Sequence, residues 1–534
     1  MLVALAALIL LSQGYFVASL LLRDPQGPQA QAGEQISSQL PIPSGEAVAE
    51  NTQLGSDPPT KTGAPVLPSQ PAKRTLRWLR WALAPGLGMG LVSLVFFFWR
   101  AILGTPNVSF VLFEIAITLV LAALYLRAGL RPFLHIAKSQ SSGLSSVWRI
   151  ILPVAFILGI LGVLITYYMG RTLYPQGTID AWMIWNLAAR YLSIGGGYWK
   201  NLFSSNFFHA DYPLLLGANI ARLWAYIGQQ AEWVPQLFSI AFAVCLIGLV
   251  TSGVGVMRGR LVGMLAGLGL IAAATLGILS AAQTADIPLA YFYLASLILI
   301  YLVEVGYTKD YRRTMVLAGI CAGLAAWTKN EGWLFLVALL AVKLLPIWRS
   351  PERQHKLAPY GWFGLGSLPI LGLVLVFKFN FVPPNALIAG QTLNTLAQVL
   401  YPSRYLEVAV HFLQQFSFQA AKSGTPYLIL GLFLLAAGIA PGALRRTENR
   451  SLLYLLLLML GGYILTYIIS PLDLEFLLRT SIFRLFLQLW PITVFLVMMI
   501  ANLPGIASTW QVWYPPPQPA ALTDPDPEEQ ITPT

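Results

Sequence analysis

The sequence predicts an all-α polytopic membrane protein, because its composition leaves too little polar surface for a water-soluble globule of this size. Hydrophobic residues make up 57% of the 534 residues and charged residues only 10%. The mean hydropathy is +0.67. Apolar runs recur along the chain, and a run of about 20 apolar residues suits one membrane-spanning helix. We expect about thirteen transmembrane helices, with interfacial helices in the first large outer loop.

Composition divides the chain into five parts. Residues 1–22 are apolar and lack the cationic start and cleavage site of a signal peptide, so a retained transmembrane helix is expected. Residues 23–80, rich in Pro, Gly and Ser, predict a disordered cytoplasmic linker. Accessory transmembrane helices are expected over 81–145, a membrane core over 146–505 and a disordered tail over 506–534.

Two of the apolar runs are too long for a single span. The run 213–257 predicts a re-entrant or interfacial helix between Pro213 and Gln230, followed by one span. The run 314–346 predicts a hairpin that turns at Lys329–Glu331. The other runs lie near 81–99, 107–126, 150–169, 261–280, 287–305, 359–377, 426–441, 451–470 and 485–503.

Basic residues fall in short clusters between the apolar runs. The net charge is +11, but no continuous basic face forms, so nucleic acid is not an expected partner. The positive-inside rule assigns the clusters to the cytoplasm and the other loops to the outside. The clusters are Lys73, Arg74, Arg77 and Arg80; Arg127 and Arg131; Arg258 and Arg260; Lys309, Arg312 and Arg313; Arg349, Arg353 and Lys356; and Arg445, Arg446 and Arg450.

The first outer loop carries Asp180, just before an aromatic-rich helix. The spacing of Trp182, Trp185 and Ala189 predicts a helix lying flat on the bilayer with its aromatic rings at headgroup depth. Asp180 would then lie at the apolar edge, where a lipid-linked substrate is accessible. The alternative is that Asp180 only caps the helix N-terminus.

Other polar residues of the outer loops have two or more interpretations. His209 and Asp211, followed by Tyr212, suit contact with an acceptor hydroxyl, a share in a divalent cation site, or solvation of a helix end. Asp286 precedes an early helix proline, so it is either a functional carboxylate or a cap.

The remaining candidates combine basic residues with polar neighbours. Lys329 and Glu331 form either a local ion pair at a turn or a phosphate contact. Arg484 and Gln488 are four residues apart and share a helix face. The planar guanidinium of Arg484 suits phosphate, and the alternative is a side chain that snorkels to the interface.

Several common chemistries have no support in the sequence. No GxSxG elbow, Walker loop, HExxH or paired CxxC motif is present. The two cysteines, Cys245 and Cys321, lie in apolar runs, so neither a disulfide framework nor a thiolate metal site is expected.

Over residues 145–500 the chain resembles the GT-C superfamily of membrane glycosyltransferases, especially protein O-mannosyltransferases and bacterial aminoarabinose transferases. The resemblance lies in four motifs: Tyr174-Pro175-Gln176-Gly177-Thr178-Ile179-Asp180, His209-Ala210-Asp211-Tyr212-Pro213-Leu214, Ala285-Asp286-Ile287-Pro288-Leu289-Ala290 and Thr328-Lys329-Asn330-Glu331-Gly332. The chain departs from the family where Ala181 follows Asp180 in place of a second acidic residue. This departure leaves the use of a divalent cation open, and no other cofactor is implied.

The resemblance implies transfer of a sugar from a polyprenyl-phosphate donor to a glycan, lipid or protein acceptor outside the membrane. Asp180 would be the catalytic base of an inverting displacement. Asp286 with His209, Asp211 and Tyr212 would orient the acceptor or the sugar. The phosphate would be held by Arg484 and Lys329, with Arg404 as a further candidate, and Glu331 and Gln488 would belong to the substrate-binding residues. A bacterial plasma membrane is the expected location, since the loops are compact and no retention signal is present.

Two other classes of function remain open at this stage. A transporter or flippase for an amphiphilic substrate also uses charges and aromatic loops, but it favours charges near the middle of helices and paired broken helices. The charges of this chain instead lie at predicted helix ends. A non-catalytic scaffold of the same shape is the second alternative.

Overall fold

The computed structural model describes residues 1–23, 76–129, 147–205, 207–308, 310–348, 351, 353–385, 391–392, 397–418, 420 and 424–503. The C-terminal tail and most of the predicted linker lie outside these residues. Residues 77–80 belong to a helix and not to the linker, because Leu76 and Leu79 are fully buried in the core.

The regular elements of the described residues are helices. They are α1 (Leu2–Leu21), α2 (Arg77–Ile102), α3 (Val108–Arg127), α4 (Trp148–Leu173), α5 (Asn186–Ser193), α6 (Leu215–Ile227), α7 (Trp233–Arg258), α8 (Arg260–Ile271), α9 (Ala274–Ala282), α10 (Asp286–Glu304), α11 (Tyr311–Thr328), α12 (Glu331–Trp348), α13 (Arg353–Asn380), α14 (Pro402–Gln414), α15 (Tyr427–Ala437), α16 (Thr447–Ile469) and α17 (Leu474–Ile500). A π-helical turn, Ala181–Trp185, leads into α5, and short 3-10 turns cover Tyr198–Phe203, Gln398–Leu400 and Ala443–Arg445.

Ten of these helices are long and apolar enough to cross a membrane. The pair α8 and α9, bent by 68° at its break, raises the number to eleven if it forms one span. The described chain is therefore that of a helical multi-pass membrane protein, as its composition predicted. Among the helices that do not pass this test, α15 has 11 residues, and α11 has 18 residues with Arg312 and Arg313 in its first turn.

Both overlong apolar runs are divided where the sequence predicted. The run 213–257 becomes the 13-residue α6 and the 26-residue α7. Gly228 ends α6 in the left-handed conformation (φ 80°), which glycine adopts without strain. Nearly all of α6 is buried among other helices, so it is a core element and not an exposed interfacial helix. The run 314–346 breaks at Lys329 between α11 and α12.

The spans differ widely in burial. Helix α10 lies at the centre of the bundle, with 94% of its most apolar stretch buried, whereas α4 is peripheral, with only 11% buried. Close packing of α11 against α13 depends on glycine. A methyl group added at Gly319 would come within 2.0 Å of the Phe363 carbonyl oxygen. Small residues allow this backbone approach, as is typical of membrane helix pairs.

The alternating directions of the helices give the bundle two distinct ends. The turns between α9 and α10, between α11 and α12 and between α16 and α17 meet at one end, which we name the site end. The described basic clusters of the sequence, from Arg77 to Arg450, lie at helix termini of the opposite end, which we name the basic end. The sequence predicted that the candidate residues between the apolar runs lie on one side. In the structure these turns lie at one end of the bundle.

A buried ion pair joins three helices inside the bundle. The Arg222 guanidinium on α6 donates to both carboxylate oxygens of Glu114 on α3, at 2.8 and 2.9 Å. The Tyr226 hydroxyl donates to the same carboxylate, and the Ala6 carbonyl of α1 accepts from Arg222. Both charged side chains are at most 1% exposed. This pair was not predicted from the sequence, because each charge is single within an apolar run.

We expect Arg222→Met to destabilise the protein by about 3–5 kcal/mol, because it leaves the Glu114 carboxylate buried without its cation. Apparent Tm values of purified protein in detergent measure the loss. The double variant Glu114→Gln with Arg222→Met should recover most of the stability. The control Arg479→Ala removes an exposed pair with Glu475 and should cost about 0–1 kcal/mol. A single variant as stable as this control would contradict the prediction.

Candidate active site

The loop that carries Asp180 is fixed against the turn between α9 and α10. The Pro175 carbonyl accepts hydrogen bonds from the amides of Gln236 (2.7 Å) and Gln283 (3.0 Å). The Thr178 backbone N–H donates to the Ala282 carbonyl at 3.3 Å. Gln283 itself has a left-handed backbone (φ 59°), which turns the chain sharply between the two helices. These contacts bring the first outer loop next to the start of α10.

Asp180 forms a direct ion pair with Arg484 of α17. The Asp180 side chain is 31% exposed and that of Arg484 19% exposed, so both are accessible to a ligand at the site end. Asp180 precedes the π-helical turn but makes no capping hydrogen bond. The structure therefore assigns its carboxylate to the pair with Arg484 and not to a helix cap.

Asp286 lies behind this pair and is fully enclosed. Its carboxylate accepts from Lys329 Nζ (3.0 Å) and from the Gln488 amide (2.7 Å), and Arg484 Nη1 lies 4.0 Å away. Gln488 is held in turn by the Tyr463 hydroxyl at 2.7 Å. Because Asp286 is only 1% exposed, it positions the surrounding cations and is not open to substrate.

Lys329 bridges two carboxylates at the break between α11 and α12. Its Nζ lies 3.0 Å from Asp286 and 2.7 Å from Glu331, and 5.9 Å from the centre of the Tyr212 ring. Burial on its own would lower the pKa of Lys329, but Asp286 and Glu331 outweigh it and raise the pKa above its ordinary value. The ammonium is thus permanently charged and its donors face protein groups.

His209 stacks on an aromatic column beside Lys329. Its ring lies 4.3 Å from that of Tyr212 at an angle of 16°, and Tyr212 stacks on Trp185 at 5.5 Å. The backbone of His209 is left-handed (φ 53°), an uncommon state for a residue other than glycine and one found at functional sites. Burial lowers the pKa of His209, opposed in part by Asp211.

Asp211 belongs to a second polar cluster that adjoins the first. Its carboxylate accepts from the amides of Asn330 and Asn385, each at 2.7 Å. Lys378 donates to the Asp211 backbone carbonyl and, at 2.7 Å, to the Asn330 side-chain carbonyl. Asp211 is 3% exposed, so this cluster fastens the end of α13 to the turn between α11 and α12.

The structure therefore brings most of the predicted site residues together in one cluster. The contacts that several of them make differ from those predicted. Arg404 is not in the cluster: it donates to the carbonyls of Tyr467 and Ser470, both at 2.8 Å. Three residues of these polar clusters were not predicted from the sequence: Lys378, Asn385 and Tyr463. Of the three, only Lys378 had a signal in the sequence, because it is a single cation directly after the apolar run 359–377.

The predicted flat helix differs from the observed one. Trp185 is 3% exposed, whereas Trp182 is 49% exposed, so the two rings do not share a face. The π-helical turn Ala181–Trp185 is wider than an α-helical turn and changes the angular spacing of these residues. Only Trp182 remains for a headgroup contact, while Trp185 supports the stack under His209.

The carboxylates of the site are matched by side-chain cations. Asp180 pairs with Arg484, Asp286 and Glu331 with Lys329, and Asp211 with Lys378. Within the described ranges, no three His, Cys, Asp or Glu side chains are grouped to hold a metal ion.

Comparisons with protein families, curated proteins and solved structures gave no match for this chain. The class that the fold and site define is a helical multi-pass membrane protein with a charged cluster at one end of its bundle. The resemblance to the GT-C superfamily stays a prediction from the motifs of the sequence.

Lys329→Met should destabilise the protein by about 3–5 kcal/mol, because Asp286 and Glu331 lose their shared cation inside the bundle. The apparent Tm in detergent reports the change, with the exposed Lys200→Met as the matched control. A Tm equal to that of the control would show that the lysine is not what neutralises these carboxylates.

His209 predicts a pH dependence of stability. Its pKa is lowered from 6.5 in the folded state, so the unfolded chain binds the proton first and the folded state loses stability as pH falls below 6.5. Between about pH 7.5 and about pH 5.5, Tm should therefore fall further in the wild type than in His209→Gln. The exposed His355→Gln serves as control. Parallel Tm curves for wild type and His209→Gln would contradict this assignment.

Proposed function

We propose that this protein is a membrane glycosyltransferase that moves a sugar from a polyprenyl-phosphate donor to an acceptor hydroxyl. The observation that carries the proposal is the partly exposed pair of Asp180 and Arg484 at one end of a membrane bundle. A carboxylate that can accept a proton thus lies beside a guanidinium that can bind an anion. This combination is what a displacement with a phosphate leaving group requires.

We infer thirteen membrane crossings for the chain. They are the ten long apolar helices, the bent pair α8 and α9 as one crossing, and the helices α11 and α15. This number makes the helix directions alternate and keeps the described residues of the basic clusters at one end. By the positive-inside rule the basic end faces the cytoplasm and the site end faces outward. We propose a bacterial plasma membrane as the location.

In the proposed reaction the acceptor hydroxyl attacks the anomeric carbon in line with the bond to the phosphate. The new carbon–oxygen bond forms as the old one breaks, and the bonding electron pair leaves with the lipid phosphate. Asp180 takes the hydroxyl proton, and Arg484 meets the developing charge on the phosphate. The configuration at the anomeric carbon is inverted by this single displacement.

Arg484 is better suited to phosphate than the two lysines. Its Nε is buried and has no hydrogen-bond partner among the described residues. The donors of Lys329 and Lys378 face carboxylate, carbonyl and aromatic groups of the protein. We therefore assign Lys329 and Lys378 a positioning role, together with Asp286, Asp211 and Gln488. Tyr212 and His209 border the site on its aromatic side.

A lipid-facing helix leads directly into the site loop, which suits a donor with a long hydrocarbon chain. Helix α4 ends at Leu173, seven residues before Asp180. Residues such as Ile165 and Leu173 are 60% and 70% exposed along its outer face. A polyprenyl chain can therefore remain in the bilayer beside α4 while its phosphate approaches Arg484.

The position of the charges favours a transferase over a transporter. The ion pair of Glu114 with Arg222 inside the bundle is enclosed and saturated by protein groups. It therefore does not line a passage. The partly exposed charges of the cluster, Asp180 and Arg484, lie at the site end, where a lipid headgroup can approach them.

Asp180→Asn should lower sugar transfer by about 10²–10⁴-fold, because the amide accepts no proton from the acceptor. The assay uses purified protein and a panel of radiolabelled polyprenyl-phosphate sugars, and it counts both transferred and water-released sugar. The control Glu475→Gln changes an exposed acid of α17 outside the cluster and should retain full transfer. An equal Tm shows that the variant is folded.

Three results would contradict the proposed function or the role of Asp180 in it. Transfer by Asp180→Asn at the wild-type rate would exclude Asp180 as the base. A wild-type protein that translocates donors across vesicles without releasing or transferring sugar would be a flippase. Neither turnover nor translocation with any donor would identify a scaffold.

A further inference from the structure

A polar groove opens at the site end, separate from the Asp180–Arg484 pair. It has a volume of about 380 Å³, within the range of roughly 300–1,000 Å³ typical of small-molecule sites. The groove lies between α14 and the turn that joins α16 to α17. Its polar lining consists of Gln398, Tyr401, Ser403, Arg404, Glu407 and Asp473.

The groove is a built feature with a fixed floor. Arg404 is held by the carbonyls of Tyr467 and Ser470, each at 2.8 Å, and by the Gln398 amide oxygen at 3.0 Å. Asp473 uses one carboxylate oxygen to cap α17 through the Phe476 N–H at 2.7 Å. These bonds fix the directions of a cation and an anion before any ligand binds.

The charge of the lining selects against phosphate. Two carboxylates, Glu407 and Asp473, face one guanidinium, so the groove has a net negative charge. An anion would be repelled, whereas a neutral polyol can donate hydroxyls to the carboxylates and accept from Arg404. The Tyr401 ring, with 58% of its surface exposed, offers a flat apolar face beside them.

The groove adjoins the proposed reaction centre through one tyrosine. The Tyr467 carbonyl accepts from Arg404, and its hydroxyl is hydrogen-bonded to Ser481 at 2.6 Å. Ser481 precedes Arg484 by three residues, which is about one turn of α17. Tyr467 therefore separates the groove on one side from the Asp180–Arg484 pair on the other.

We propose that this groove binds carbohydrate, and that it holds the neutral glycan part of the acceptor during transfer. The acceptor role rests on the proposed transferase activity, whereas carbohydrate binding itself does not. A saccharide in the groove would extend past Tyr467 toward Asp180. The acceptor class that the groove selects is thus a glycan and not a protein side chain or a simple lipid.

Binding is tested without any turnover. The full-length variant Leu472→Cys receives a polar, environment-sensitive fluorophore at a groove position that is 41% exposed. The native Cys321 is buried, and Cys245 lies within the membrane helix α7. The labelled protein is titrated with the neutral trisaccharides maltotriose, cellotriose and mannotriose, and with glucose 1-phosphate as the anionic probe.

We expect a saturable signal with at least one trisaccharide and none with glucose 1-phosphate. Adding Glu407→Gln and Asp473→Asn should weaken binding by at least about tenfold, because hydrogen bonds to charged acceptors are lost. Asn keeps the cap of α17, so folding is preserved. The matched control is Glu475→Gln. Glu475 lies in the first turn of α17, the helix that Asp473 caps, but it does not line the groove. No saturable trisaccharide signal, a preference for the sugar phosphate, or unchanged binding in the double variant would overturn the proposal.

The acceptor role has its own readout. In Glu407→Gln, the acceptor KM for transfer should rise about tenfold, while donor hydrolysis without acceptor stays at the wild-type rate. An unchanged acceptor KM would remove the acceptor role. Glycan binding by a wild-type protein that shows neither hydrolysis nor transfer would instead contradict the transferase and leave the groove assignment standing.

Discussion

The site end of this protein depends on the burial of one carboxylate, Asp286. A charge inside a helix bundle is costly unless it is paired and hydrogen-bonded. Asp286 meets this requirement with Lys329 and Gln488, and Arg484 lies 4.0 Å away. Because these partners belong to the break between α11 and α12 and to α17, neutralising one carboxylate holds the start of α10, this break and the middle of α17 together.

That pairing divides the cations of the site into two kinds. The Lys329 ammonium is enclosed between two carboxylates and an aromatic ring, so its charge is used within the protein. Arg484 instead shares its charge with the exposed Asp180 and keeps an unpartnered nitrogen. The protein thus leaves one carboxylate and one guanidinium partly exposed at the site end, on a support whose own charges are balanced.

Part of the fold and site was accessible from the sequence. Apolar runs located the long helices, and the polar interruption at Lys329 located the hairpin. Most of the site residues that the sequence singled out meet in one cluster, with Arg404 as the exception. The pair of Glu114 with Arg222 and the contact of Lys378 with Asp211 were not predicted. Their partners are 108 and 167 residues apart, and hydropathy says nothing about which helix faces which.

The sequence by itself determined that the chain is helical and membrane-embedded, since lipid offers no partners for an open backbone. It also predicted that most of the candidate site residues lie toward one end of the bundle. Only the tertiary structure decided that Asp180 meets Arg484, 304 residues away, and that Asp286 is buried behind them. The physical reason is that an apolar helix is equally stable in many rotations about its axis. Packing and the pairing of a few buried charges select one of them.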